Sequence, residues 1–125
     1  MNAKTGKRAA HDALYVDNEF RRMLFKFIIL KKTGEKDIYA YKMLKEVEKL
    51  PQMEFFCKDK NKLKNDIYNA ISALSKDGYI KVKSKKVSNH IRNYYTLTKE
   101  GRESIMEIRE NFIGAVARIK KILKV

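Results

Sequence analysis

One face of a helical segment in the middle of the chain carries side chains that can bind nucleic acid. Apolar residues recur at helical spacing here and predict one buried side: Leu63, Ile67, Ala70, Ile71 and Leu74. The opposite side, which we call the polar face, carries amides, hydroxyls and cations: Lys62, Lys64, Asn65, Tyr68, Asn69 and Ser72. Asn65 and Asn69 lie one turn apart and can each pair with an adenine edge or hold a phosphate. We predict that the polar face contacts DNA; the alternative is an ordinary solvated helix face.

A basic segment without acidic residues follows this helix directly. Residues 78–99 include six Lys or Arg and no Asp or Glu. Ile80 and Val82 alternate with lysines and predict a strand, residues 93–98 predict a second, and residues 84–92 are expected to form a basic loop with a turn at Ser88-Asn89. We call this hairpin the wing and predict that seven of its side chains contact DNA: Lys81, Lys83, Lys85, Lys86, Asn89, His90 and Arg92. Simple solubility is the alternative role for these cations.

The charge of the whole chain fits a partner that is a polyanion. The chain has 125 residues, 29 Lys plus Arg against 15 Asp plus Glu, and a formal net charge of +14. This length suits one domain, and a hydrophobic content of 44% supports a packed core rather than general disorder. Lys4, Lys7 and Arg8 make residues 1–17 a basic arm, which we expect to be partly disordered or helical. Double-stranded DNA is the partner we expect.

Little in the sequence supports catalysis, metal binding or membrane insertion. Cys57 is the single cysteine, and His11 and His90 are the two histidines, which excludes a Cys/His metal cage and an intramolecular disulfide. We find no nucleophile–base arrangement and no glycine-rich phosphate loop, so we predict a non-enzyme without metal or cofactor. The most apolar run, residues 27–30, is far shorter than the ~20 residues that span a bilayer. We expect a cytoplasmic, nucleoid-associated protein that does not bind membranes, with Cys57 inert.

Two more helices are expected before the one that carries the polar face. The first covers residues 18–32, with Asn18 as its N-cap and Gly34 as a left-handed stop. Asp37 is expected to cap the second, which ends at Pro51 and has one apolar side: Tyr41, Leu44, Val47 and Leu50. Gly78 is expected to end the third helix. The connector over residues 52–61 is expected to place three large side chains in the core: Met53, Phe55 and Phe56.

A long amphipathic helix is expected at the C-terminal end. Thr98 suits its N-cap, and Glu100 in the first turn suits the helix dipole. Apolar residues then repeat at 3-4-3-4-3 spacing, which is the seam of a coiled coil: Ile105, Ile108, Phe112, Ala115, Ile119 and Ile122. We predict that this seam forms a homodimer; the alternative is that it packs on its own domain.

The order of these elements predicts a winged helix-turn-helix. The fold class is mainly α with a small β-hairpin, followed by a long C-terminal dimerisation helix. We assign residues 1–17 to the basic arm, residues 18–98 to a winged-helix DNA-binding domain and residues 99–125 to the dimerisation helix. In this fold the helix before the hairpin enters the major groove and the hairpin lies along the DNA backbone.

Several residues match the pattern of a known family: Ile38-Tyr39-Ala40-Tyr41, Ile67-Tyr68, Leu74, Gly78, Ile80 and Asn93-Tyr94-Tyr95-Thr96-Leu97-Thr98-Lys99-Glu100-Gly101-Arg102. They resemble the PadR family of winged-helix transcription regulators, over about residues 25–110. The chain departs from that pattern at Ala40, where the family usually has Gly, at Asn69, where it has Pro, and at residues 89–92, where it has Gly-Arg-Pro. The short C-terminus resembles the subgroup with a single terminal helix. The resemblance implies a homodimeric repressor that binds a palindromic operator.

The resemblance also implies a class of ligand. Some members of the family that the chain resembles respond to phenolic or drug-like molecules held near the dimer interface. A pocket lined by Tyr15, Phe20 and Phe112 would suit a small aromatic effector, and the same residues would serve equally well as dimer core.

Two other functions are open at this point. A winged-helix dimer can coat DNA without sequence preference as an architectural chromosomal protein, which the high lysine content and the missing Gly-Arg-Pro favour. Alternatively, the chain is a protein-interaction module whose basic surface binds an acidic partner. Tyr94 and Tyr95 point to opposite faces of a strand, so we expect one in the core and one exposed, where it can stack on single-stranded nucleic acid.

Overall fold

The computed structural model describes residues 3–51, 53–57 and 59–124, with the backbone alone for residues 3–18 and Phe55. The elements follow in the order α1 (Ala3–Glu35), β1 (Ile38–Tyr39), α2 (Ala40–Glu48), α3 (Met53–Phe56), α4 (Lys60–Lys76), β2 (Ile80–Val87), β3 (His90–Leu97) and α5 (Lys99–Leu123). Three packed helices, an antiparallel hairpin and a long terminal helix confirm the predicted mainly α winged-helix fold. None of the helices in the described part of the chain is both long and apolar enough to cross a membrane.

The core lies where α1, α2, α4 and the sheet meet. It contains Phe25, Ile29 and Leu30 from α1, and Ile38, Ile80 and Leu97 from the sheet. The five apolar residues predicted for the buried side of α4 are all buried, so that stripe is confirmed: Leu63, Ile67, Ala70, Ile71 and Leu74. Because this stripe is buried, most of the residues between its members project from the opposite side of α4 and face solvent.

The first helix differs from the prediction at both ends. α1 begins at Ala3, so Asn18 lies inside the helix and its predicted role as N-cap is wrong. Gly34 also lies inside the helix and is not in the left-handed region, so the predicted stop is wrong too. The small size of Gly34 matters for packing, because a Cβ there would lie 3.0 Å from Cδ2 of Leu97.

The second helix starts without the predicted aspartate cap. Tyr39 is the N-cap residue of α2 and makes no side-chain capping bond, while Asp37 accepts a hydrogen bond from Lys85 Nζ at 3.5 Å. The prediction of Asp37 as the cap is therefore wrong. Of the predicted apolar side, Leu44 and Val47 are buried as expected, whereas Tyr41 is 57% exposed and Met43 is buried instead.

The connector and the ends of α4 follow local rules. Met53 is buried and Phe56 partly buried, as predicted, whereas the side chain of Phe55 lies outside the described residues. The carboxylate of Asp59 caps α4 by accepting a hydrogen bond from the backbone N–H of Asn61 at 2.9 Å. Gly78 has a φ of 81°, which confirms it as the left-handed residue after α4.

The wing is a long hairpin with a very short turn. Ser88 and Asn89 form the turn as predicted, with φ values of 48° and 57°, and positive φ at both central residues is typical of a type I′ turn. The prediction of a loop over residues 84–92 is wrong, because β2 and β3 stay paired up to Val87 and His90. Continuous pairing makes the wing a stiff ribbon rather than a loose basic loop.

A third strand was not predicted. β1 pairs with β3 in the sheet order β1-β3-β2, with Ile38 opposite Tyr95 and Tyr39 opposite Tyr94. Tyr95 is partly buried against the core, and Tyr94 lies on the other face beside Tyr39 and is also partly buried. The expected split of the two tyrosines between faces is therefore confirmed, but neither is exposed as one of them was expected to be.

The last helix is joined tightly to the sheet. Thr98 Oγ1 accepts a hydrogen bond from the Gly101 N–H at 3.0 Å and donates to the Gly78 carbonyl at 2.7 Å, which confirms the predicted N-cap. Gly101 is buried against the backbone of Tyr79. α1 contacts both α4 and α5, so it connects α4 to the terminal helix.

Candidate nucleic-acid interface

The polar face of α4 is solvent-exposed at five of its six predicted positions: Lys62, Lys64, Asn65, Asn69 and Ser72. Tyr68 differs, because it is partly buried and packs against the core. Its ring lies 5.9 Å from Nζ of Lys64, which places the cation beside the aromatic face. Tyr68 therefore supports the edge of the polar face more than it projects from it.

A nearly buried ion pair holds α4 against α1. Arg21 Nε lies 3.0 Å from Asp66 Oδ2, and the two side chains are 12% and 18% exposed. A second nitrogen of the same guanidinium donates to the Phe56 carbonyl at 3.4 Å, so one arginine contacts α3 and α4 together. Neither residue was predicted for the site, since Arg21 and Asp66 are 45 positions apart and neither stands out by motif.

The register of the wing separates its side chains into two faces. Lys85 pairs with Arg92, and residues two apart on a strand share a face, so most of the charge lies on one side: Lys81, Lys83, Lys85, His90 and Arg92. Lys86 lies on the opposite face with Ser84 and Asn93, whose side chains form a 2.8 Å hydrogen bond. Asn89 lies in the turn. All seven predicted wing residues are exposed.

Two tyrosines order the cations on the charged face of the wing. Tyr39 and Tyr94 meet edge to face, with ring centroids 5.6 Å apart. Arg92 Cζ lies 4.2 Å from the centroid of Tyr39, and Lys85 Nζ lies 4.8 Å from that of Tyr94. Each ring thus has a cation against it, which suits holding these cations better than stacking on single-stranded bases. Tyr39 was missed as a candidate because its role depends on the unpredicted strand β1.

A carboxylate lies at the base of this basic face. Asp37 Oδ2 is 3.5 Å from Nζ of Lys85. The pKa of Asp37 is lowered below its ordinary value chiefly by a side-chain hydrogen bond from Thr96; burial acts in the opposite direction, and the charges of Lys83 and Lys85 add to the lowering. Asp37 therefore stays ionised and holds one wing cation towards the body of the domain.

The helix before α3 adds basic surface that the sequence analysis did not single out. α2 exposes Tyr41, Lys42 and Lys45, and its C-cap residue Lys49 is exposed as well. Its Glu46 lies 3.2 Å from Lys32 and 3.7 Å from Lys36, which ties α2 to the end of α1. Burial raises the pKa of Glu46, but the hydrogen bond from Lys32 and the nearby lysine charges outweigh it, so the net shift is downward.

The predicted dimer seam of α5 changes character along the helix. Ile105 and Ile108 are partly buried against the core, and the Phe112 ring lies 5.1 Å from that of Phe20 in α1. Beyond Phe112 the seam is open, with Ile119 49% and Ile122 77% exposed. The alternative of packing on the same chain therefore describes the first half of the seam, whereas the second half has no such cover from the described residues.

The predicted effector pocket is described only in part. Phe20 and Phe112 are in contact, as expected, but the side chain of Tyr15 lies outside the described residues. Beside them an apolar recess of about 130 Å³ is lined by Leu24, Phe27, Arg109 and Phe112.

Cys57 is a packing residue. It is buried, and its thiol donates to the Asp59 carbonyl at 3.4 Å. Burial raises the pKa of the thiol above its ordinary value, although Arg21 nearby acts in the opposite direction. A buried thiol of raised pKa is a poor nucleophile.

The fold and the exposed polar helix, with a basic hairpin beside it, define a winged-helix protein of the DNA-binding class. The family model described as the transcriptional regulator PadR-like family matches residues 29–107, and the chain belongs to this family. It is accordingly a DNA-binding transcriptional regulator and not an enzyme. A comparison with curated proteins gives no match.

Solved structures show the same fold. A PadR family transcriptional regulator from Eggerthella lenta DSM 2243 is similar with a TM-score of 0.69 and 19% identity, covering 94% of this chain and 98% of that one. A PadR-like transcription factor from Bacteroides fragilis gives a TM-score of 0.64 and 14% identity, over 86% and 98% of the two chains. Bacillus subtilis PadR in complex with operator DNA gives 0.55 and 19%, over 67% of this chain and 45% of that one.

Proposed function

We propose that the protein is a homodimeric transcriptional repressor that binds a palindromic operator, with α4 in the major groove and the wing on the DNA backbone. The carrying observation is the division of α4, whose apolar stripe is buried while Asn65, Asn69 and Ser72 face solvent. The Arg21–Asp66 pair fixes this helix against α1, so its amides are presented in one orientation. A rigid, amide-bearing helix is suited to reading base edges.

The wing supports this proposal through its charge. Lys81, Lys83 and Arg92 share one face of a continuous ribbon, beside α4 in the chain. Phosphate contacts from such a ribbon would position α4 without reading sequence themselves. Residues 18–98 would then form the DNA-binding domain, acting at the chromosome in the cytoplasm.

The open half of the α5 seam supports the dimer. Ile119, Ile122 and Leu123 are all exposed large apolar side chains on one arc of the helix. A second copy covering them would use the 3.5-residue period that coiled coils require. Residues 99–125 would then be the dimerisation helix, and the two α4 helices would lie about one DNA turn apart, ~34 Å.

Selection of bound sequences from random double-stranded DNA at physiological salt tests the proposal. We expect an inverted repeat with half-sites about one helical turn apart. Asn65→Ala with Asn69→Ala should lose about tenfold or more in preference for that sequence, since a lost base contact is worth ~1–3 kcal/mol. Asn111→Ala, an exposed asparagine of α5, is the matched control and should keep the preference. Equal binding to selected and scrambled DNA would overturn the proposal.

An architectural DNA-coating role is the second candidate, and the face of the wing favours it. Lys81, Lys83 and Lys85 lie in a row on that face, and such cations contact phosphates of any sequence. In this case affinity would fall with salt at a slope of about −0.9 per phosphate neutralised, and the selection would return no motif. A clear inverted repeat excludes this candidate.

We propose that the dimer, rather than the single chain, binds a small aromatic effector. The recess lined by Leu24, Phe27, Arg109 and Phe112 has about 130 Å³, less than the ~300 Å³ and more of ordinary ligand pockets. An effector of ordinary size would therefore need additional wall residues from a second copy packed on α5. Titration calorimetry with 4-hydroxybenzoate should show binding to the wild type and none to Phe112→Ala; no heat with either protein removes the effector from the proposal.

A further inference from the structure

A groove runs between α1 and α4 beside the polar face. It is lined by Arg22 and Lys26 of α1 and by Asp66, Asn69, Ala70 and Ala73 of α4, and it has a volume of about 310 Å³. Asn69 belongs both to this groove and to the polar face, so the two surfaces are continuous. The predicted DNA-contacting surface contains α4 and the wing but no residue of α1.

The groove carries a net positive charge. Asp66 is its single carboxylate, and Arg21 Nε at 3.0 Å neutralises it from the protein side. Lys26 is partly buried, and no carboxylate lies within 4.0 Å of its Nζ among the side chains that the structure describes. A partly buried cation without an acidic partner is available to an incoming anion, and its attraction is screened less than that of a fully exposed lysine.

The second cation of the groove has a weak partner. Arg22 Nη1 lies 3.0 Å from Glu19 Oε1, and both side chains are more than half exposed. Exposed pairs of this kind contribute only ~0–1 kcal/mol, so a dianion or a DNA phosphate can displace the glutamate. Arg22 and Lys26 are four residues apart and therefore lie on the same side of α1.

The shape of the groove suits a phosphate of the DNA backbone. Ala70 and Ala73 are the small residues of α4 that face α1, and they leave room between the helices. The lining is half polar, in contrast to the apolar recess between α1 and α5. Four of its six lining residues are charged or carry an amide, which suits an anion bordering the helix that is proposed to enter the major groove.

We propose that the groove between α1 and α4 binds a backbone phosphate of DNA, with Lys26 as its main cation and Arg22 as the second. This inference rests on the proposed function and extends the DNA-contacting surface from α4 and the wing onto α1. The phosphate would fix how deeply α4 enters the major groove of the DNA. Asn69 would be adjacent to the phosphate site on one side and to the base edges on the other.

The salt dependence of DNA binding tests this site. Lys26→Gln removes one phosphate contact per chain, so in the proposed dimer the slope of log affinity against log salt should become shallower by about 1.8. Affinity at 50 mM salt should fall roughly tenfold, equally on operator and random DNA, because a phosphate contact carries no sequence information. Arg22→Gln should act in the same direction with a smaller effect.

Lys31→Gln is the matched control. Lys31 is an exposed lysine of the same helix, about 140° around the helix axis from Lys26, and the variant has the same change in net charge. It should leave the slope unchanged, and thermal melting should show that all three variants fold. If Lys26→Gln and Lys31→Gln have the same slope while the wild type binds DNA, the phosphate site is wrong. If the wild type itself does not bind DNA, the proposed function fails instead.

Discussion

α4 and α5 are both long amphipathic helices, but their apolar stripes end up in different surroundings. In α4 the stripe is buried along its whole length, from Leu63 at 3% exposed to Leu74 at 2%. In α5 the seam is partly buried at Ile105 and largely exposed at Ile122. The same apolar period in two helices therefore does not tell whether each apolar stripe is covered by its own chain or by another one.

The difference divides the molecule into two regions. The body consists of α1 to α4 and the sheet, and its core is covered within one chain. The projection is α5, whose seam is exposed beyond Phe112. The body gains its stability from residues of one chain, so its unfolding should be independent of protein concentration. The projection has apolar side chains that remain in water until something covers them, so association should depend on concentration. Gly101 lies at the junction of the two regions, where α5 packs against the backbone of Tyr79.

Gly101→Val should have the largest effect on stability. A Cβ at Gly101 would collide with the Tyr79 carbonyl oxygen and lie 2.6 Å from Leu97 Cδ1. The backbone of Tyr79 cannot move aside without breaking its hydrogen bond with Thr98, so we expect a loss of about 4 kcal/mol. Urea unfolding measures it.

Gly114→Ala is the control for that substitution. Gly114 is also a glycine of α5, but among the described side chains a Cβ there would meet just Arg118 Nη1, at 3.9 Å. Alanine should therefore stabilise the helix by ~0.5–1 kcal/mol. If both variants change stability by the same amount, the close packing of α5 on Tyr79 is not what joins the two regions.

Ile67→Ala tests the buried stripe. Ile67 is fully buried at the centre of α4, and truncating such a residue costs about 3 kcal/mol through lost burial and the cavity left behind. The loss should be the same at all protein concentrations. Ile122→Ala removes the same atoms from an exposed site and should change the stability of the body by less than ~0.5 kcal/mol. Comparable losses for the two variants would erase the distinction between the helices.

Much of the body could be predicted because its signals are local. The stripe of α4, Gly78 after it and Thr98 before α5 each depend on neighbours within a few residues. The turn at Ser88-Asn89 was also predicted, but the strands on both sides of it are longer than predicted. The two apolar residues of this segment, Val87 and Ile91, lie on opposite faces, so no alternation marks residues 84–92 as strand, and they are held by backbone pairing.

The missed features depend on contacts between distant residues. Asp37 has the residue type of an N-cap, but Lys85 binds its carboxylate from 48 positions away. β1 contains two residues, too few for any periodicity, and exists because β3 pairs with it. The same applies to Arg21 with Asp66 at the candidate site. Five of the six polar-face residues are exposed as the helical period predicts, but the partial burial of Tyr68 and the ion pair that orients the helix could not be read from that period.

Ile119→Asp combined with Ile122→Asp should separate the two regions directly. Two carboxylates on the open seam would be buried in the proposed dimer without partners, so its dissociation constant should rise about a hundredfold or more. The body should keep its melting temperature at concentrations where the wild type is already monomeric. Analytical ultracentrifugation and melting measure the two effects.

Ile113→Asp is the matched control for the seam. Ile113 is 54% exposed on α5 but falls outside the heptad positions. Its variant should associate like the wild type. A dimer that survives the double substitution, or one that Ile113→Asp dissociates equally, would show that the predicted seam is not the interface.

Asp37→Asn should give the smallest change in stability, with a specific dependence on pH. The pKa of Asp37 is lower in the folded chain than its ordinary value near 3.8, chiefly through the hydrogen bond from Thr96. A lowered pKa means that ionised Asp37 stabilises the fold above that ordinary value, and the contribution is lost as the pH falls through the lower folded value. Wild type should therefore exceed Asp37→Asn in urea resistance at pH 7, with the difference shrinking below about pH 4.

Two further variants show whether this dependence arises where the wing meets the body. Thr96→Val should reduce the pH dependence of stability more than Lys83→Gln does, because the Thr96 hydroxyl lowers the pKa of Asp37 more than the Lys83 charge does. Asp37→Asn should also release Lys85 to contact DNA, raising affinity for random DNA at low salt while association through α5 is unchanged. A difference in stability that grows on acidification would contradict the assignment, because it would require a folded pKa above the unfolded one. Asp37 thus belongs to the body, whose contacts are complete in one chain, and the small size of its effect follows from its partial exposure at the edge of that body.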